Sequence, residues 1–353
     1  MALSGGVDSA VAAALLKTAG WEVTGLHFLL PSPDWVAEKR LARVKGITEF
    51  LDIHLETIDL RHLFERLVID PFVEAYFQGL TPNPCARCNP MIKFHQLYLY
   101  AAENRIKHLA TGHYVRLGRG ETPGSVSLLR GRDLKKEQSY FLHRLSRAIL
   151  AGTIFPLGTM TKDDTRRRAR ELKLPCPPDE ESQEICFVPR ADYRRFLEQR
   201  GGVAAGTRGA IINHRGEVVG EHEGIHRHTI GQRHGMGISS SRPYYVKEIR
   251  PAENRIIVGR KEDLYSKRVE AIDFNWISGV PESHVNVHAQ IRYRHRAAPG
   301  RLEVIAPDEV RFIFDEPQWA VTPGQALVCY HGPRVLGGGW IKRPSEHSRE
   351  MDC

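Results

Sequence analysis

No apolar run in this chain of 353 residues approaches the ~20 residues that a bilayer-spanning helix needs. Nor does the chain open on a basic stretch followed by an apolar one. These two absences argue against a membrane partner or a secretory leader and point to a cytoplasmic protein. There is no self-similar period in the solenoid range and no low-complexity tract, which sets aside stacked repeats. Cysteine is sparse, with six residues at 85, 88, 176, 186, 329 and 353. In a reducing compartment these do not make a static disulfide framework. Acidic residues are in deficit, 42 against 50 basic ones, so the net charge is +8. That excess suits a polyanionic partner but does not require one. Hydrophobic content of 41% and charged content of 26% are those of a soluble globular protein. The length allows two or three domains with sizeable cores.

What is present begins at once, in Ser4-Gly5-Gly6-Val7-Asp8-Ser9. Two glycines let the backbone turn tightly and approach a ligand. The apolar helix pattern that follows (Val7, Ala10, Val11, Ala14, Leu15) presents first-turn N–H groups which, with the Ser4 and Ser9 hydroxyls, make an anion site. The lysine that a Walker loop carries after its second glycine is missing. The loop is similar instead to the pyrophosphate loop of ATP pyrophosphatases, which cut ATP between its α and β phosphates. That implies adenylation rather than γ-phosphoryl transfer.

Up to about residue 190, short apolar runs alternate with helical periodicity. Strands are expected over 22–28 and 53–58, helices over 62–77 and 92–104, and a buried strand end over 108–111. Strand–helix alternation implies a parallel sheet wrapped by helices, with ligands beyond the carboxyl ends of its strands. Only three residues precede the loop, fewer than the ~5–6 of an average strand. Thr161 and Asp164 form a capping box for a helix bearing Arg166, Arg167, Arg168 and Arg170, either a solvated face or a nucleic-acid contact. Beyond Gly201 and Gly202 the texture changes to short alternating runs, 209–213, 217–220, 244–249 and 255–259, which read as hairpins. A third block from about 263 alternates at Val285, Val287, Ala289, Ile291 and Tyr293, then runs through 302–305, 310–314, 326–330 and 335–341. That spacing suggests a small antiparallel barrel or sandwich. The expected fold class is thus an α/β N-terminal domain with a parallel sheet, 1–195, followed by two small mostly-β domains. These are a β-rich unit over 196–262 and a β-barrel over 263–343, with a tail over 344–353.

The segment Thr81-Pro-Asn-Pro-Cys-Ala-Arg-Cys-Asn-Pro-Met-Ile-Lys-Phe94 carries the remaining chemistry. Two prolines hold the chain extended ahead of the cysteines. Arg87 and Lys93 are cations that favour thiolate over thiol. A CxxC pair serves as a redox dithiol, half a zinc site or cluster ligands. Zinc needs two more Cys or His at matching spacing, and neither Cys176 nor Cys186 has such a partner. His226 and His228 flank Arg227 without a third ligand nearby, so they read as structural or RNA-facing.

At this point the chain resembles the bacterial tRNA-specific 2-thiouridylases, a family of N-type ATP pyrophosphatases with an adenine nucleotide alpha hydrolase-like domain. The resemblance runs through TPNPxxxCNxxIKF at 81–94, Ala110-Thr-Gly-His-Tyr114 and Lys136-Glu-Gln-Ser-Tyr-Phe141. It continues through Phe155-Pro-Leu-Gly158, Ile185-Cys-Phe187, Gly220-Glu-His-Glu-Gly224, Thr229-Ile-Gly-Gln-Arg233 and Gly235-Met-Gly237, then Arg292-Tyr293, Phe314-Asp-Glu-Pro317 and Thr322-Pro-Gly-Gln325. It implies that Ala2, Leu3, Ser4, Gly5, Gly6, Val7, Asp8 and Ser9 hold ATP phosphates. Phe28 and Gly112 complete the nucleotide site, and Asp8 helps hold Mg²⁺. Cys88 and Cys186 match the catalytic cysteines, the latter bearing a persulfide. Asn83, Pro84 and Cys85 surround the target base. His113, Lys136, Glu137, Gln138, Arg292, Tyr293 and Gln325 match tRNA contacts. The implied partners are the anticodon arm of a tRNA and a sulfur-donor protein.

The chemistry is coherent. The C2 oxygen of uridine 34 is a poor leaving group until AMP is attached to it. A persulfide on Cys186 then supplies sulfur, and Cys88 resolves through a transient disulfide. Extruding an anticodon base costs a few kcal/mol, which phosphate contacts offset. The commoner form of the family carries Asp where this chain has Cys85. That opens a second route, a [4Fe–4S] cluster on Cys85, Cys88 and Cys186. Two other classes compete: a pyrophosphatase-type synthetase acting on a small molecule, and a non-catalytic RNA-binding protein with a degenerate loop.

Overall fold

A computed structural model describes residues 1–119, 125–177, 185–188, 192–201, 206–281 and 284–344. The expected tail lies outside the described residues from 345 onward. Residues 1–3 pair as a short strand. Leu3 N–H donates to the Leu26 carbonyl at 2.8 Å and Leu26 N–H to the Met1 carbonyl at 2.7 Å, while Ala2 N–H reaches the Ala110 carbonyl at 3.1 Å. Three residues therefore join the strand Thr24–Leu29 to Leu109–Ala110. On the flanks His54–Asp59 pairs parallel with Thr24–Leu29, and Thr153–Ile154 pairs parallel with Leu109–Ala110. The first helix, Val7–Thr18, starts where the first strand ends. Its buried Ala10, Ala12, Ala13 and Ala14 let it sit close among Val44, Ile47 and Leu157 in one core.

The helix expected over 62–77 forms, but not as one α-helix. Arg61–Phe64 passes through a wider π turn, Glu65–Ile69, into Asp70–Phe77. Pro71 supplies the reason. It has no N–H to return to the carbonyl of Leu67, four residues back. That carbonyl accepts from Arg87 Nε at 2.7 Å instead. A second π turn, Asn89–Phe94, again has a proline in its first turn and leads into His95–Glu103.

In the middle unit the strands lie in the order Val218–His222, Gly209–Ile212, Arg255–Gly259, Tyr245–Arg250. The outer pairs are the expected hairpins, while the central pairing of Gly209–Ile212 with Arg255–Gly259 is parallel. The third block closes on itself. Tyr265–Trp276 pairs with Glu309–Trp319 on one side and Arg334–Ile341 on the other, and Ala298–Ala306, Val285–Gln290 and Ala326–His331 complete the six-stranded ring. Alternate side chains fill its interior, among them Phe312, Phe314, Leu302 and Leu327.

Two features of the barrel depart from expectation. Its longest strand, Tyr265–Trp276, was not foreseen. The pairing shifts register between Ile272 and Asn275, where Asp273 has φ +51°, and this breaks the alternation that marks a strand. The hairpin Val115–Arg119/Val126–Arg130 belongs to the first block in sequence, yet it extends the barrel sheet beside Arg334–Ile341. At that junction Gly338 lies against His143, so close that a Cβ there would stand 2.6 Å from the imidazole.

Candidate functional site

The phosphate loop is held open for a ligand. Gly5 has φ +79°, and a Cβ there would press on the Arg40 carbonyl at 3.2 Å. Ser9 Oγ donates to the Gly6 carbonyl at 2.9 Å and lies 3.2 Å from Ser4 Oγ, so the two hydroxyls face each other across the turn. No side chain caps the helix start, which leaves its first-turn N–H groups for an anion. Ala2, Leu3 and Val7 supply the strand and core beneath the loop rather than polar groups. Gly112 crosses directly behind it, where a Cβ would meet the Asp8 carbonyl carbon at 2.9 Å. Phe28 sits half-buried near the carboxyl end of its strand.

Asp8 is engaged more fully than the sequence suggested. Lys162 Nζ donates to both its oxygens at 2.7 and 2.8 Å, and the Tyr114 hydroxyl donates to Oδ1 at 2.7 Å. Lys162 is buried, and Tyr114 also reaches Thr165 Oγ1 at 2.9 Å. Sequence reasoning missed Lys162, although it lies inside the capping box that was read correctly. The arginines of that helix are paired along it, Arg167 with Asp164 at 2.6 Å and Arg168 with Glu171 at 3.1 Å, a solvated face.

The second half of the site is a group of sulfurs. Asn83 caps the short helix Pro84–Cys88 by accepting from Ala86 N–H at 3.2 Å. Cys88 is buried in a cluster with Phe64, Phe72, Ile92 and Phe187. Phe187 meets Phe64, Phe72 and Phe196 at ring distances of 5.3–5.6 Å, which fastens the segment bearing exposed Cys186 beside Cys88. Cys85, Cys88, Cys186 and the Lys93 ammonium are close enough for their charges to act on one another. Burial pushes the Cys88 thiol up to about 12, with Lys93 pulling it down and the neighbouring sulfurs adding to the rise. Cys85 is exposed as a residue, yet burial around its sulfur raises the thiol too, against Lys93 and with Cys186 adding to the rise. The expectation for Arg87 needs correcting. Its guanidinium is taken up by the Leu67 carbonyl, and Lys93 is the cation among the thiols.

The residues matched to tRNA contacts fall into two groups. Arg292 and Tyr293 are half-buried on the barrel, with Arg292 Nη1 donating to the Trp319 carbonyl at 3.0 Å and Tyr293 against Phe141 at 4.3 Å. Lys136 is half-buried. Glu137 is buried and accepts from Ser139 N–H, Gln138 Oε1 accepts from Tyr114 N–H at 3.0 Å, and Gln325 Nε2 donates to the Thr81 carbonyl at 2.7 Å. His113 bonds Thr111 Oγ1 at 2.9 Å, and burial with Lys93 nearby holds its imidazole down to about 3. His226 and His228 are buried, the former 3.7 Å from Glu198. Among the described residues no three His, Cys, Asp or Glu side chains are grouped to hold a metal ion.

Three family models cover the chain. Residues 1–190 match the tRNA methyl transferase HUP domain, 194–260 the tRNA methyl transferase PRC-barrel domain and 266–341 the aminomethyltransferase beta-barrel domain. The tRNA-specific 2-thiouridylase MnmA of Acidithiobacillus ferrooxidans (strain ATCC 53993 / BNL-5-31) is 45% identical over 97% of this chain and 97% of its own. This chain belongs to the tRNA-specific 2-thiouridylase family. Further 2-thiouridylases, from Geobacter metallireducens and Carboxydothermus hydrogenoformans, are 43% and 41% identical over 97% of this chain and 95% and 97% of their own. Among solved structures, an NMN synthetase from Francisella tularensis covers 58% of this chain and 71% of its own at 19% identity and a TM-score of 0.32. The HUP domain is the ATP-using part of the 2-thiouridylase, and it contains both the phosphate loop and the sulfur group.

Proposed function

We propose that this chain adenylates the C2 oxygen of uridine 34 in a tRNA anticodon and replaces it with sulfur. The observation that carries the reading is the gathering of Cys88, Cys186 and Lys93 beside the Asn83-capped helix, on the domain that also bears the phosphate loop. The uridine oxygen attacks the α-phosphorus of ATP, and pyrophosphate leaves with the bonding electrons. The outer sulfur of a Cys186 persulfide attacks C2, and AMP departs with the oxygen. The Cys88 thiolate attacks the inner sulfur, freeing 2-thiouridine and leaving a Cys88–Cys186 disulfide for an external reductant. A sulfur-donor protein reloads Cys186, which its exposure permits. Lys93 favours the thiolate that Cys88 must become. Mg²⁺ would be held at Asp8 and would offset phosphate charge; carboxylate oxygens are the hard donors it takes. The enzyme works in the cytoplasm, among its tRNA substrates.

Transfer of labelled sulfur to tRNA, with ATP and a persulfide donor, tests this reading. Wild type labels tRNA. Cys186→Ser abolishes labelling, and Cys88→Ser blocks release of thiolated tRNA while ATP–pyrophosphate exchange continues in both. Full thiolation by Cys88→Ser sinks the scheme, and exchange stimulated by small acceptors but not by tRNA favours a small-molecule synthetase. The convergence of Cys85 with Cys88 and Cys186 favours a second reading, a [4Fe–4S] cluster on these thiols. As placed, they do not form a metal-holding group among the described residues. Iron and sulfide assays with a visible spectrum on anaerobically purified protein separate the two. A colourless, iron-free, active enzyme retains the persulfide route.

A further inference from the structure

Thr81 is a point where all three units meet. Its N–H donates to the Pro323 carbonyl at 2.9 Å, and its carbonyl accepts from Gln325 Nε2 at 2.7 Å. Both backbone groups of one residue are tied to a single turn of the barrel. That turn is itself fixed. Gly324 N–H donates to the Ile341 carbonyl at 2.9 Å, and Thr322 Oγ1 donates to the Ala320 carbonyl at 2.9 Å. Gly324 has φ +90°, and a Cβ there would stand 3.0 Å from both Leu80 Cβ and Thr81 N. From the middle unit, Thr229 Oγ1 accepts from Thr81 Oγ1 at 3.4 Å. Upstream of Thr81 lies Gly79 at φ +67°, and downstream Pro82 and Pro84 fix the backbone up to Asn83 and the helix of Cys85 and Cys88. A stiff arm thus runs from the barrel turn to the sulfur group.

We propose that Gln325 is a positioning residue for the base pocket. Its amide holds Thr81, Thr81 sets the placement of Asn83–Cys88, and an RNA seated on the barrel acts on the pocket through this bond. The pocket's identity rests on the thiolation reading above, but the bond and its mechanical effect do not. In this arrangement the Gln325 amide is committed to the protein, whereas the family resemblance makes it an RNA contact.

The test is alkylation of cysteines in the full-length, RNA-free protein, followed by peptide mass spectrometry. Cys329, buried in the barrel core, serves as internal gauge. Three variants are compared. Gln325→Ala removes the amide, Gln325→Glu keeps its shape without the donor, and Gly324→Ala strains the turn. Each is expected to raise the ratio of Cys88 to Cys329 labelling by about fivefold, the scale of one lost hydrogen bond. In steady-state thiolation kcat falls while KM for tRNA stays within about twofold, the pattern of lost positioning rather than lost binding. A ratio at the wild-type value in all three variants overturns the proposal, and weakened tRNA binding alongside it assigns Gln325 to the RNA. Absence of thiolation in the wild type would sink the functional reading and leave the labelling ratio to decide this one.

Discussion

Cys88 shows how single residues balance the site. Burial alone makes its thiol a poor nucleophile, and Lys93 works against that. With the thiol raised to about 12, the thiolate fraction in the RNA-free enzyme grows about tenfold per pH unit throughout the neutral and mildly alkaline range. Iodoacetamide labelling of Cys88 should therefore climb steadily from pH 7 to about 10. A plateau near the ordinary thiol value would contradict the burial argument. Lys93→Met should lower the labelling rate at every pH in that range. At the phosphate loop, Lys162→Met leaves Asp8 without its ammonium, and ATP–pyrophosphate exchange should fall on the order of 100-fold. Unchanged exchange would reduce Lys162 to a structural prop. These two lysines differ in how legible they were. Lys93 lies five residues from Cys88, on a motif readable as a string. Lys162 meets Asp8 across 154 residues of sequence, and only the closing of the sheet brings them together.

Among the elements, the two π turns explain most of what the sequence concealed around the thiols. A proline inside an apolar, helix-periodic stretch reads as continuing helix or as its end. Here it does neither, because the orphaned Leu67 carbonyl finds a donor in Arg87. Arg87→Met should cost about 1–3 kcal/mol in urea or thermal unfolding, the penalty for a half-buried carbonyl losing its donor. The pH dependence of Cys88 labelling should not move. A shift there would return Arg87 to the thiol group from which its hydrogen bond removes it. Strands with clean alternation, such as Val285–Gln290 and Ala326–His331, were readable from side-chain pattern alone. Tyr265–Trp276 was not, since a register shift and a left-handed Asp273 interrupt it. The capping box at Thr161 was legible because capping is a local hydrogen-bond pattern.

For the whole molecule, the histidines set an acid limit. Burial holds His143 and His228 down to about 4, with neighbouring charges lowering His228 further, and holds His113 down to about 3. Unfolded, each would titrate near ~6.5. The folded protein favours their neutral forms, so their contribution is complete above about pH 6.5 and is lost as pH falls toward 4. Thermal melts should show Tm falling between pH 7 and 5, and His143→Gln should flatten part of that slope. A Tm independent of pH over that interval would show that these rings are not held neutral. The three-part layout could be read from changes in texture along the chain. The hairpin that the first unit lends to the barrel sheet could not, because strand pairing across 200 residues leaves no local mark.

The meeting of Gly338 with the His143 ring constrains how such a protein can change over generations. A methyl group at 338 would collide with an imidazole that belongs to a different folding unit. The sizes of the two side chains are therefore coupled. A chimera that grafts the barrel of one relative onto the nucleotide domain of another should assemble when its barrel keeps glycine at 338 opposite a histidine at 143, and fail when a larger residue stands at 338.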